Sequence, residues 1–186
     1  HRSNFPKNEI QKSKLLSIKT GSCPEDCSYC SQSAHHNVDL KKEPLISLGE
    51  VVKAAEDAVK EGATRFCMGA AWRGPTDKNI DQVCDMVEAV NGLGLESCVT
   101  LGMLKEGHAE KLAKSGLNYY NHNIDTSEEF YNSIITTRSF SDRIDTLDKV
   151  KNAGVKVCSG GIIGMGETRY DRSEMLRTLS NLDEHP

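Results

Sequence analysis

The chain has 186 residues, 37% of them hydrophobic, with 27 acidic against 23 basic side chains and a net charge of −4. That length suits one domain with its own core, and interspersed charge without a basic stripe argues against nucleic acid as the main partner. No apolar run approaches the ~20 residues of a membrane-spanning helix. Seven cysteines, an odd number, fit free thiols in a reducing compartment better than a disulfide framework, so the cytoplasm or a mitochondrial matrix is expected.

Residues 1–12, with the lysine-rich run that reaches Lys14, read as a solvated entry segment. Leu15-Leu-Ser-Ile-Lys-Thr-Gly21 reads as a strand running into a turn. The turn leads into Cys23-Pro-Glu-Asp-Cys27-Ser-Tyr-Cys30, three cysteines spaced by three residues and then two. Three thiolates can converge on one centre and withhold a fourth ligand. An iron–sulfur cluster held this way leaves one iron open to a substrate or cofactor. The alternative is zinc, which usually takes four ligands, and His35 and His36 are near enough in sequence to complete such a site.

Beyond the loop, helix-like and strand-like segments alternate. Apolar residues recur at helical spacing from Leu48 to Val59 and Gly62 closes the segment. A strand follows at 64–69, a helix from Asn79 to Val90, a strand at 95–101 and a helix from Lys105 to Lys114. A fourth strand spans 118–125, a short helix lies near Glu128, a longer one runs from Asp142 to Asn152, a fifth strand spans 155–163, and a helix closes the series at 171–182. Strands joined by helical crossovers imply a parallel sheet in an α/β fold. No Gly-x-Gly-x-x-Gly follows the first strand, so a dinucleotide-binding open sheet gains no support against a (β/α)8 barrel or partial barrel.

Strand period two sorts the later cysteines by face. Arg65, Cys67 and Gly69 oppose Phe66 and Met68; Glu96, Cys98 and Thr100 oppose Leu95, Ser97 and Val99; Lys156, Cys158 and Gly160 oppose Val155 and Val157. In a barrel these polar sets look into one interior, joined by Asn121, Asn123 and Asp125 of the fourth strand. Buried polar groups need partners, and an interior ligand supplies them. Each cysteine alone reads as a small core residue, whereas three of one parity on three strands also read as a second metal site. Cys84, on a helix stripe, is expected to be inert core. Four glycines between Gly160 and Thr168 form either a flexible turn or a close backbone approach to a ligand.

Together these residues resemble the radical S-adenosylmethionine superfamily. The CxxxCxxC loop, with Tyr29 in the aromatic position before its last cysteine, carries the resemblance, as does Gly160-x-Ile162-x-Gly164-x-x-Glu167 on the fifth strand. Within the superfamily, the segments 15–27, 64–72, 119–126, 134–138 and 157–161 are similar to those of the enzymes that insert sulfur into dethiobiotin. The resemblance implies a (β/α)8 barrel domain of which 1–186 holds the first five or so βα units, an open partial barrel truncated on its C-terminal side. A full barrel takes about 250 residues, so a fragment is expected, and alone it is expected to be inactive.

The resemblance also implies roles. Cys23, Cys27 and Cys30 would hold a [4Fe–4S] cluster whose open iron binds S-adenosylmethionine, and Cys67, Cys98 and Cys158 a [2Fe–2S] cluster that donates sulfur. The family's fourth ligand to that second cluster, an arginine on a later strand, has no matching position. Tyr29 would border the adenine, Gly69 and Ala70 the amino group, Asn123 and Asp125 the ribose, and Arg143 the methionyl carboxylate. Gly160, Ile162 and Gly164 would also border the cofactor, and Asn121 and Asn123 the substrate. A 5′-deoxyadenosyl radical would abstract hydrogen from dethiobiotin, with flavodoxin or ferredoxin as electron donor and a homodimer as the assembly. Two other readings stay open at this point: a radical enzyme without sulfur insertion, and a non-catalytic iron–sulfur or zinc-binding module.

Overall fold

A computed structural model describes residues 10–182; residues 1–9 of the expected entry segment lie outside the described residues. The elements in chain order are β1 (Ser13–Lys19), α1 (Leu48–Lys60), β2 (Arg65–Ala70), α2 (Asp77–Gly92), β3 (Glu96–Thr100), α3 (His108–Lys114), β4 (Tyr119–Asn121), α4 (Glu128–Tyr131), α5 (Phe140–Asn152), β5 (Lys156–Cys158) and α6 (Arg169–Ser180). The strands pair in the order β1-β2-β3-β4-β5, and every pairing is parallel. The alternating pattern predicted the parallel sheet, and this is the open partial barrel that the family resemblance implied, with β1 and β5 at its edges among the described residues.

Strand alternation decides which face the helices cover. Phe66, Met68, Val99 and Tyr120 are fully buried against Val51, Ala55, Ala58, Ile80, Val83 and Val87 of α1 and α2. Cys84 packs at the margin of the same core, as expected. A second cluster, formed by Ile124, Tyr131, Ile135, Phe140, Leu147 and Met175, seats α4, α5 and α6 and reaches Cys27. The opposite face of the sheet carries the polar set. At its lower end Arg65 pairs with Glu96 at 3.0 Å and stacks over Tyr119 with its guanidinium 3.7 Å from the ring centre, which satisfies inward charges at that end.

Three helices begin two residues before their expected starts, for one physical reason. Thr76, Ser139 and Thr168 each cap a helix, and their side chains accept the backbone N–H of Asn79, Asp142 and Asp171. Those three residues, expected to open the helices, are instead the third positions of reciprocal capping boxes. In α3 the opposite happens: Gly107 sits in the left-handed region at φ 79°, so the helix starts at His108 rather than Lys105.

The structure also shortens β4 and β5 relative to the spans 118–125 and 155–163. Asp125 takes φ 69°, and the N–H groups of Ile124 and Asp125 both donate to the Gly160 carbonyl, at 3.0 and 3.3 Å. The ladder ends there, leaving an isolated bridge between Asp125 and Gly161. A Cβ at Gly161 would lie 2.9 Å from the Asp125 carbonyl oxygen, so the close approach requires glycine.

Beyond β5, Glu167 fastens the connection to α6. Its carboxylate accepts the N–H groups of Gly164 and Met165 at 2.8 and 2.7 Å and pairs with Arg172 at 2.7 Å. The Gly164 N–H first, then Arg172, draw its pKa down to about 2. A carboxyl group depressed in the folded state stabilises at neutral pH and loses that contribution as pH falls through its folded pKa. Thermal melts of Glu167→Gln are therefore expected to show a shallower loss of stability than the wild type between about pH 4 and pH 2; superimposable acid limbs would refute this role.

Candidate active site

A cavity of about 340 Å3 opens at the carboxyl ends of the strands, where parallel α/β folds place their ligands. One wall is the Cys23–Cys30 loop. Its backbone folds back on itself: the Cys23 N–H donates to the Gln32 carbonyl at 2.9 Å, the Ala34 N–H to the Cys23 carbonyl at 2.8 Å, and the Cys30 N–H to the Cys27 carbonyl at 3.0 Å. Cys23, Cys27 and Cys30 all line the cavity, the first two buried and the third partly open. Burial pushes the Cys23 and Cys27 thiols up.

The histidines near the loop are differently engaged. His35 Nε2 lies 3.0 Å from the Pro24 carbonyl and His36 Nε2 2.8 Å from the Cys27 carbonyl. A carbonyl only accepts, so each Nε2 carries the proton and cannot ligate. Among the described residues, no three His, Cys, Asp or Glu side chains converge as a single bound ion requires. Thiolates bound to separate irons of a cluster have no need of one common point.

Of the other residues singled out in the sequence, Tyr29, Gly69, Ala70, Asn121, Asn123, Asp125 and Arg143 line the same cavity. Register explains the depth of the strand cysteines. Gly69 pairs with Thr100, both on the cavity wall, and Cys67 pairs with Cys98 one step beneath them. The neighbouring Cys98 thiol, first, and then Arg65 draw Cys67 down, while Cys98 is driven up by Cys67 and by burial. Cys158 pairs with Asn121, whose Nδ2 stands 3.4 Å from its sulfur. Gly160, Ile162 and Gly164 are not on the wall: Gly160 and Ile162 bond the backbone around Asp125, and Gly164 bonds Glu167.

Asp125 and Arg143 are both buried and meet at 2.5 Å. Removing either partner of such a pair costs about 3–5 kcal/mol, because the other charge is stranded. Asp125 in the left-handed region, like Ser22 at φ 56° beside the first cysteine, marks backbone strain confined to the site. His122 lines the cavity although strand parity alone assigns it to the outer face, because β4 ends at Asn121. Burial first, then Arg143, holds its pKa far below the usual range, and its Nε2 is buried without a hydrogen-bond partner. An orphaned polar atom on the wall fits a cavity made for a polar ligand.

Sequence reading missed a strap that ties the cysteine loop to the segment before α5. Asp26 accepts the N–H groups of Thr136 and Thr137 at 2.9 and 3.3 Å and the Thr136 hydroxyl, and the Ser28 N–H donates to the Ile134 carbonyl at 3.0 Å. Glu25, 1% exposed, accepts the Thr137 hydroxyl and meets Arg73 at 3.1 Å and Arg138 at 3.6 Å. Two adjacent acids between Cys23 and Cys27 were the available signal, and Glu25, being buried, requires partners. Hydrogen bonds to a charged group contribute ~1.5–3 kcal/mol. Asp26→Ala is accordingly expected to speed alkylation of Cys27 in the metal-free protein about tenfold, followed by mass spectrometry; an unchanged rate would refute the strap.

The model of the Radical SAM superfamily matches residues 17–179. Biotin synthase from Thioalkalivibrio sulfidiphilus is 59% identical over all 186 residues, which cover 55% of that protein, and biotin synthase from Rickettsia felis is 61% identical over 184 residues, covering 60% of it. The chain thus spans little more than half the length of these relatives. Among solved structures, methylornithine synthase (PylB) superposes with a TM-score of 0.82 at 19% identity, over 95% of this chain and 52% of that one. The hydrogenase maturase HydG superposes at 0.75 and 20% identity, over 91% and 39%. Those two likenesses establish a shared fold, and with the match over 17–179 they lead to one conclusion: the chain belongs to the Radical SAM superfamily.

Proposed function

We propose that the chain is the cluster-bearing part of a biotin synthase, which converts dethiobiotin to biotin. The carrying observation is that one cavity has three loop thiols in its wall and three strand thiols in the layers around its floor. The identity of about 60% to proteins named biotin synthase supports the specific reaction. When bound, two iron–sulfur clusters and S-adenosylmethionine supply one-electron cleavage chemistry and the sulfur atom.

Cys23, Cys27 and Cys30 hold the [4Fe–4S] cluster, and Cys67, Cys98 and Cys158 contribute to the [2Fe–2S] cluster. Tyr29, Gly69, Ala70, Asn123, Asp125 and Arg143 surround S-adenosylmethionine, while Asn121 and Asn123 face dethiobiotin. Arg143 keeps donors beyond those that face Asp125, Tyr131 and His122, since a guanidinium carries five N–H groups, and a carboxylate is the ligand its planar fork suits. Asp125, fixed by that arginine, offers acceptor oxygens to a ribose. Gly69 brings backbone to the wall without a side chain, which lets a ligand approach closely. Gly160 and Ile162 act indirectly here by setting the backbone of Asp125, and Gly164 by fastening Glu167. A flavodoxin or ferredoxin donor, a homodimer and a cytoplasmic or mitochondrial-matrix location complete the reading.

Single alanine variants of the two thiol sets in the full-length protein separate the roles. Cys98→Ala, Cys67→Ala and Cys158→Ala are each expected to abolish biotin formation while leaving reductive cleavage of S-adenosylmethionine measurable. Biotin formed at the wild-type rate by any of the three would sink the sulfur-insertion reading in favour of a superfamily member without it. In Cys27→Ala, both biotin formation and cofactor cleavage are expected to disappear, together with the spectrum of the four-iron cluster after anaerobic reconstitution. Persistence of that spectrum would remove Cys27 from the ligand set.

A further inference from the structure

Arg138 also lines the cavity, but its donors face protein acceptors. Its Nη2 lies 3.1 Å from Cys27 Sγ, its Nε donates to the Tyr131 hydroxyl at 3.0 Å, and its Nη1 faces Glu25 Oε2 at 3.6 Å. The side chain is 5% exposed. Each edge of the guanidinium is thereby committed to a protein acceptor, and the plane is fixed by the fully buried Tyr131. The same phenol oxygen accepts from Arg143 Nε at 3.1 Å, so one tyrosine sets both arginines. Their charges are divided: Arg143 is 2.5 Å from Asp125, whereas Arg138 is 3.9 Å from it and closer to the sulfur.

We infer that Arg138 is a positioning residue that sets the reduction potential of the cluster held by Cys23, Cys27 and Cys30 through an N–H···S bond to Cys27. The inference rests on the cofactor reading of those cysteines. A hydrogen bond to a ligating sulfur and a nearby positive charge are two of the levers by which protein tunes an iron–sulfur centre. Reduction adds one negative charge to the cluster. A buried cation donating to its sulfur stabilises the reduced form more than the oxidised one, because charge-assisted bonds strengthen with acceptor charge in a low-dielectric setting. Arg138 therefore raises the potential and eases electron entry. Glu25 is the counterweight, since its carboxylate holds the guanidinium in place and offsets part of its charge.

The test is a potentiometric titration of the anaerobically reconstituted full-length protein, followed by the electron paramagnetic resonance signal of the reduced four-iron cluster. Arg138→Met is expected to lower the ratio of reduced to oxidised cluster at fixed potential at least tenfold, which for one electron is 59 mV. Arg138→Lys, retaining charge without the fork, is expected to recover part of that loss. Arg73→Gln removes a half-exposed cation beside Glu25 that does not touch the sulfur, and is expected to shift the ratio less than threefold. If Arg138→Met fails to fold, Arg138→Lys decides alone: a lowered ratio supports the inference and an unchanged one overturns it. Unchanged potentials in both Arg138 variants, or an equal shift in Arg73→Gln, would overturn it while leaving the cluster assignment intact. A wild-type protein that takes up no four-iron cluster would overturn the cofactor reading itself, and the inference with it.

Discussion

Side chains on a strand alternate between two faces, and in this protein the two faces answer to different chemistry. Phe66, Met68, Val99 and Tyr120 give the helices an apolar surface to cover. Their neighbours Cys67, Gly69, Cys98, Thr100 and Asn121 are turned the other way by the same geometry. A polar interior of this kind is stable only while its groups are satisfied. At the lower end protein does so alone, through Arg65, Glu96 and Tyr119. At the carboxyl end the sheet opens into the cavity instead, where His122 keeps an unsatisfied nitrogen.

Charge at the cavity is organised in two buried pairs that share a pivot. Arg143 answers Asp125, and Arg138 answers Glu25 and the Cys27 sulfur, with the Tyr131 hydroxyl accepting from both. Buried ion pairs of this sort are weak sources of net stability, since desolvation offsets the attraction. Their value lies in direction. Each guanidinium is held in one orientation, and the Thr136-Thr137 strap holds the cysteine loop against them. A loop without regular secondary structure thereby becomes a rigid wall.

Much of the fold was legible from residues taken singly or in short patterns. Period-two alternation placed the strands and assigned Cys67, Cys98 and Cys158 to the inward face. Helices were found from their apolar stripes, but their starts at Asp77, Phe140 and Arg169 were read two residues late. A stripe reports where a helix buries apolar surface, whereas a capping box begins it with polar residues that carry no stripe. The ends of β4 and β5 were misread because the break depends on Ile124 and Asp125 both bonding to Gly160, a contact between strands. His122 entered the cavity by the same break.

The sequence by itself determined the parallel α/β architecture, the three-thiol loop and the parity of the inner cysteines, because all three follow from local spacing and strand geometry. Only the tertiary structure decided which charges meet those thiols. Glu25 and Arg138, or Asp26 and Thr136, lie more than a hundred positions apart and meet where the segment before α5 crosses the cysteine loop. A charged residue read in sequence defaults to solvent, since burial without a partner is prohibitive. The partner is supplied by chain crossing, and no local spacing encodes it.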